Sequence, residues 1–166
     1  KLSGTTGGQA GSNFPLNFTT SNPVIDITSV VEYNGTSTQT IYDIPSPGYG
    51  KLILINNSIK RATSGLEVRS DFTNNVSSTF SGGTSLSHDF KGTWTNNGSF
   101  TYTTTSSITF SGASNQSIAG SAVTTFYDLN NSNTSTGLTL NTGIQVANVL
   151  SMSGASANIN LNGNNI

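Results

Sequence analysis

The chain has no cysteine, which excludes disulfides and thiolate metal sites and is compatible with any compartment. Charge is nearly as scarce. Only 8% of the 166 residues are Asp, Glu, Lys or Arg, against about 25% in an ordinary globular protein. The formal net charge is −1, and beyond Lys91 the one charged residue is Asp128. A phosphate backbone is bound by a basic stripe, and the few Lys and Arg here are scattered, so nucleic acid is not an expected partner. Long-range electrostatic steering is weak for the same reason. No apolar run approaches the roughly 18 residues of a membrane helix, and no signal peptide opens the chain. There is one histidine, so a His-rich metal site is excluded.

What the chain does hold is Asn, Ser, Thr and Gly, with Ile, Val, Phe and Thr recurring at alternating positions. Disordered chains are poor in aromatic and β-branched residues and carry net charge; this pattern predicts order. The apolar spacing is 2 rather than 3.6, and Gly, Asn and Thr interrupt every helical window, so no helix is predicted.

A short motif occurs twice between Ser70 and Phe110. Phe72-Thr73-Asn74-Asn75-Val76-Ser77 returns as Trp94-Thr95-Asn96-Asn97-Gly98-Ser99, an offset of 22 (94 − 72). At that offset Phe80 meets Tyr102, Leu86 meets Ile108 and His88 meets Phe110. Gly137-Leu138-Thr139-Leu140-Asn141 resembles Asn158-Ile159-Asn160-Leu161-Asn162 at an offset of 21 (159 − 138). A period of this size is one coil of a β-solenoid, whose apolar positions are buried only by the next coil. The expected fold is therefore all-β and repeat-built, a parallel β-helix-like solenoid with coils of about 21–22 residues. A β-sandwich is the alternative, because short strands with regular turns also suit it.

A longer match covers several coils. Residues 31–41 align with 108–118 at an offset of 77 (108 − 31), Leu54 to Ser58 with Asp128 to Ser132 at 74 (128 − 54), and Ser64 to Val68 with Thr136 to Leu140 at 72 (136 − 64). The implied organisation is a linker or irregular leading strand over 1–28, a first β-repeat unit over 29–106 and a second over 107–166. Within it, strands are expected around Phe14 to Phe18, Val30 to Tyr33, Gln39 to Ile44, Lys51 to Ile55, Leu66 to Val68, Ile144 to Val146 and Leu150 to Met152. Asn34-Gly35 reads as a turn and Pro45 to Gly48 as a loop. The opening Lys1-Leu2-Ser3-Gly4 and the mid-pattern end at Ile166 suggest a piece of a longer polypeptide.

No residue is assigned a catalytic, cofactor-binding or metal-binding role, and the ligand-binding residues, if the chain has a ligand, are unknown. His88-Asp89 lacks the partners that a nucleophile or metal site needs, so His88 is expected to fill a strand slot. The seven carboxylates, Asp26, Glu32, Asp43, Glu67, Asp71, Asp89 and Asp128, show no clustering in sequence, although a solenoid can bring distant residues together. No Asp-x-Asp-x-Asp-Gly loop or Gly-Gly-x-Gly-x-Asp repeat supports a calcium site. Thr101 to Thr105 lacks the Thr-x-Thr recurrence in every coil that an ice-binding face needs. Trp94 pairs with Phe72 in the repeat and is expected in the core, while Tyr102 and Tyr127 are aromatics that could stack on sugars. Sequons such as Asn17-Phe18-Thr19 and Asn97-Gly98-Ser99 arise by chance in a chain this rich in Asn, Ser and Thr.

The order of phrases from Gly92 onward carries a resemblance. Gly92-Thr93-Trp94-Thr95-Asn96-Asn97-Gly98-Ser99-Phe100 is followed by Ser107-Ile108-Thr109-Phe110-Ser111-Gly112. Gln116-Ser117-Ile118, Thr124-Thr125-Phe126-Tyr127-Asp128-Leu129 and Gly137-Leu138-Thr139-Leu140 come next. This resembles the repeat regions of large secreted and cell-surface proteins of Bacteroidetes, including gliding-motility and surface adhesins, which are typically exported by the type IX secretion system. The resemblance covers roughly residues 29 to 166; residues 1–28 match poorly, and Pro45 to Gly48 departs from the compact form. It implies export to the cell surface and a filamentous or adhesive role without catalysis. It supplies no ligand and no cofactor. An exposed terminal coil would be an unpaired edge, so neighbouring segments or subunits of the same surface protein are the expected partners, with glycans or surfaces as further candidates. A carbohydrate-binding β-module is the alternative.

Overall fold

The computed structural model describes residues 25–166. The segment 1–13, the run Phe14 to Phe18, the Asn17 sequon and Pro23 lie outside the described residues. The described part is all-β. Its strands are β1 (Val30–Tyr33), β2 (Gln39–Ile41), β3 (Lys51–Leu54), β4 (Ile59–Ala62), β5 (Glu67–Val68), β6 (Phe72–Asn74), β7 (Thr79–Ser81) and β8 (Ser87–Phe90). They continue as β9 (Trp94–Asn96), β10 (Ser99–Thr101), β11 (Ser107–Phe110), β12 (Gln116–Ala119), β13 (Thr124–Asn131), β14 (Leu138–Leu140), β15 (Ile144–Met152) and β16 (Ile159–Asn160).

Every strand pairing among the described residues is parallel. Parallel neighbours need a crossover connection, and here the crossover is the rest of the coil. The first sheet runs β1-β3-β6-β9-β12-β14-β16, the second β10-β7-β4-β2, and the third β15-β13-β11-β8-β5. From β3 to β12 chain order visits the three in turn, so they are the faces of a solenoid rather than the layers of a sandwich. Seven strands in the first sheet delimit six turns. At about 4.8 Å per turn the stack is roughly 29 Å long.

Period-2 alternation puts one set of side chains inside. In the first sheet the register joins Val31, Leu52, Phe72, Trp94, Ile118 and Leu140 into one inward column. Within it, the rings of Phe72 and Trp94 lie 4.6 Å apart between centroids. Phe80, Phe90, Phe110 and Phe126 enter from the other two faces and are all fully buried. Tilted and edge-on ring pairs at 4.8–6.5 Å link them to Trp94, within the range in which aromatic pairs attract beyond their area burial. Each coil contributes only a few apolar residues, and the neighbouring coils complete the burial.

Between the two coils that carry the motif, the 22-residue offset holds on the first face only. Phe72 and Asn74 pair with Trp94 and Asn96, but on the second face Phe80 pairs with Phe100, and on the third Ile108 pairs with His88. The offset there is 20. The cause is the turn leaving the first face, which takes four residues after β6 (75–78) and two after β9 (97–98). Tyr102 therefore sits past the end of β10, at a corner, and Phe100 takes the ladder position expected for Tyr102. His88 likewise stacks on Ile108, not on Phe110.

The longer match is displaced by one face. Its first copy places Tyr33 on the first sheet and Gln39 on the second, whereas the second copy places Phe110 on the third and Gln116 on the first. What recurs is a local corner device. Gln39 Oε1 accepts from the Gly35 N–H at 2.8 Å, and Gln116 Oε1 accepts from the Gly112 N–H at 2.7 Å. Both glutamines are buried. The ladder runs unbroken across residue 107, since β11 pairs with both β8 and β13.

Ile25 to Ile27 forms no strand, and Ile27 lies in a turn. The two short strands expected at Ile144 and Leu150 form one, β15, which pairs along β13 with a register shift between Phe126 and Asp128. In these last coils the corner between the second and third faces is straightened into a continuous strand, so no turn residues separate the two apolar segments.

Candidate functional site

His88, the one histidine of the chain, is buried in the core. Its Nδ1 accepts the Leu66 N–H at 3.1 Å, and its Nε2 lies 2.8 Å from the Gly82 carbonyl oxygen. Those partners fix a neutral ring that donates from Nε2. Burial pushes its pKa below the ordinary histidine value. Both nitrogens are occupied by backbone and the ring packs edge-on against Phe80, so His88 fills a strand slot.

Register brings two of the scattered carboxylates together. Glu67 and Asp89 are direct neighbours on β5 and β8, and Lys91 closes on both, at 2.5 Å and 3.7 Å. The Glu67 hydrogen bond holds the Lys91 ammonium above its ordinary pKa. Asp71 pairs with Lys51 at 3.0 Å. Among the described residues no group of three or more His, Cys, Asp or Glu side chains is placed to hold a metal.

Lys60 is the feature that sequence reading missed. It lies on β4 with its side chain inward, fully buried between Gln39 and Phe80. Its Nζ donates to the Gly35 carbonyl at 2.8 Å and to Ser58 Oγ. Burial lowers its pKa to about 8. The signal was in the alternation: in Ile59-Lys60-Arg61-Ala62, the inward slot that ends with Ala62 also falls on Lys60.

The interior also holds a polar chain. Asn74 Nδ2 donates to Asn96 Oδ1 at 2.8 Å, Asn96 Nδ2 donates to Thr124 Oγ1 at 3.0 Å, and Trp94 Nε1 donates to the same hydroxyl at 3.4 Å. Trp94 is fully buried, as its pairing with Phe72 predicts. It is not a sugar platform.

The surface concavity with the most chemistry lies at the corner between the second and third faces, across three successive coils. It is about 540 Å³ in volume. Arg61 and Thr63 come from one coil, Ser81 and Thr84 from the next, and Thr101 and Tyr102 from the third. Gly83 keeps the middle corner tight. Its φ is +72°, and a Cβ there would lie 2.5 Å from Leu86 Cδ1 and 2.8 Å from the Ala62 oxygen. Thr103 Oγ1 ties the third coil to the second through the Gly83 carbonyl at 3.0 Å. The Tyr102 ring is half-buried, 6.2 Å from Phe100 and 6.1 Å from Tyr127. A shallower depression on the third face, about 380 Å³, is lined by Glu67, His88 and Asp89, whose polar groups are already engaged as described.

Compared with known proteins, the chain matches no family model, no curated protein and no solved structure.

Proposed function

We propose that this chain is a structural and adhesive segment of an extracellular surface protein or filament, a length of stalk or adhesin repeat that works by extension and surface rather than by catalysis. The observation that carries the reading is the uninterrupted coil stack together with its last coil. Leu129 is fully buried under β15, yet Leu150, its register partner, is 39% exposed, and Met152 is 47% exposed. The apolar positions of the final coil stand in register over those of the coil before it, as in any solenoid that gains length by repetition. The outer surface suits the same role, being low in charge and rich in Ser, Thr and Asn. The likeness to repeat regions of Bacteroidetes surface proteins supports export by the type IX route and placement at the cell surface. Neighbouring segments or subunits of the same protein are the proposed partners.

Electron microscopy of the purified native material tests this. Rods or fibres with a repeat near 4.8 Å along the axis are expected; compact, separate particles would reject the filament reading.

A further inference from the structure

The described cations are Lys51, Lys60, Arg61, Arg69 and Lys91, and four of them have a protein acceptor. Lys51 is paired with Asp71 and Lys91 with Glu67. Lys60 donates to Gly35 O, and Arg69 donates to Ile25 O. Among the described residues, Arg61 alone has no such partner, and it is exposed at the wall of the 540 Å³ corner groove. An exposed guanidinium with no carboxylate against it keeps its planar fork of donors open to an external anion.

The rest of the groove narrows the kind of anion. Thr63, Ser81 and Thr84 present hydroxyl groups along it, and Tyr102 presents an aromatic ring. β4 and β7, which carry Arg61 and Ser81, are each paired on both sides, so an extended peptide would find no free strand edge along them. A nucleic acid needs several cations along its phosphates, and here there is one. A sugar ring carrying a carboxylate matches all three features: hydroxyls for hydroxyls, an apolar face for the tyrosine, and one charge for one arginine.

We propose that this groove is a binding site for an acidic saccharide, a uronic-acid-type glycan. Arg61 receives the carboxylate, Tyr102 lies against the sugar ring, and the Thr and Ser hydroxyls take the ring hydroxyls. The groove spans three coils, about 10 Å along the axis, enough for one to two sugar units. The site rests on side-chain geometry and not on the stalk reading, so micrographs and binding measurements can fail separately.

Isothermal titration calorimetry of the full chain with an oligogalacturonate, against a neutral galactose oligomer of equal length, provides the test. The acidic oligomer is expected to bind and the neutral one to bind at least tenfold more weakly. Arg61→Ala should remove roughly tenfold or more of the affinity, the scale of a charge-assisted hydrogen-bond pair. Arg61→Lys should recover only part of it, and Tyr102→Ala should weaken binding while Tyr102→Phe keeps most of it. Thermal unfolding of the Arg61 variants should be unchanged, because the side chain has no partner to lose. Absence of binding to both oligomers would overturn the site. Equal binding of both, or an Arg61→Ala variant that binds normally, would overturn the role of the arginine. An acidic peptide that binds as tightly as the saccharide would overturn the ligand class.

Discussion

His88 and Lys60 are two ionisable side chains placed where an apolar one would be ordinary, and burial acts on both in the same direction. His88 lies in the column Leu66, His88, Ile108, Leu129. Its folded pKa is pushed below 6.5, so on acidification the unfolded chain takes up a proton that the folded chain refuses. The stability attributable to the neutral ring is complete above 6.5 and is lost as pH falls through the folded value. Lys60 has a folded value of about 8 against 10.5 when unperturbed. Between those values the unfolded chain still holds the proton that the folded chain has released, so stability rises with pH across that window. Tyr49 limits the rise at its upper end. Burial and the nearby Tyr33 push its hydroxyl well above 10, so that contribution is lost at still higher pH. The melting temperature is therefore expected to fall below pH 6.5 and to climb between pH 8 and 10. His88→Leu should flatten the acid limb and Lys60→Met the alkaline one. If both variants keep the wild-type profile, these two groups are not its source.

At the scale of the element, the corners and ladders divide the work. Gln116 shows what a corner requires. Its Oε1 accepts from Gly112 N–H and from Asn133 Nδ2, at 2.7 and 2.8 Å, and its Nε2 donates to Phe90 O and Gly92 O, at 2.8 and 3.1 Å. It is 1% exposed, so no water replaces these bonds when the side chain is truncated. Gln116→Ala should cost about 2–4 kcal/mol, since several buried backbone and side-chain groups lose their partner together. Trp94→Ala should cost about 3–5 kcal/mol, the range for deleting a large core aromatic. Urea denaturation of the two variants checks both values, and a near-neutral Gln116→Ala would show that the corner forms without its glutamine. The sequence made the ladder legible because Phe72 and Trp94 repeat with the same polar neighbours. It made the corner chemistry legible only as a similarity of words. The Gly-x-x-x-Gln match at an offset of 77 reads as a repeat of coils, yet it is one local device used at two different corners. Local hydrogen bonding follows local sequence, whereas face assignment depends on the summed lengths of every turn before it. Two residues fewer after β9 moved Tyr102 from the expected ladder to the wall of the groove. The groove itself gathers Arg61, Ser81 and Tyr102 from three coils, and a collinear motif cannot display that.

For the whole molecule, the consequence of nearest-neighbour stacking is that stability varies along the axis. A coil in the middle is covered on both sides; the last described coil is covered on one. β15 pairs only with β13, and β16 only with β14. Leu150, Met152, Leu161 and Ile166 stay between 39% and 48% exposed, whereas Phe72, Trp94 and Ile118 are fully buried. An uncovered strand edge can be blunted by charge or proline, but no proline follows Pro47 and no charge follows Asp128. In a quasi-one-dimensional stack each coil holds by its own stability and its neighbour interfaces. The last coil should therefore open at lower free energy than the centre. Hydrogen exchange on the isolated chain is expected to show the amides of β15 and β16 exchanging first and those of β6, β9 and β12 last. Raising the protein concentration should slow exchange in β15, because an apolar open edge is covered by any second chain that stacks on it. Leu150→Asp with Met152→Asp should abolish that concentration dependence while leaving the central coils protected. Uniform exchange along the axis would mean that the stack unfolds as a single unit, and the exposed final coil would then carry no special role in extending it.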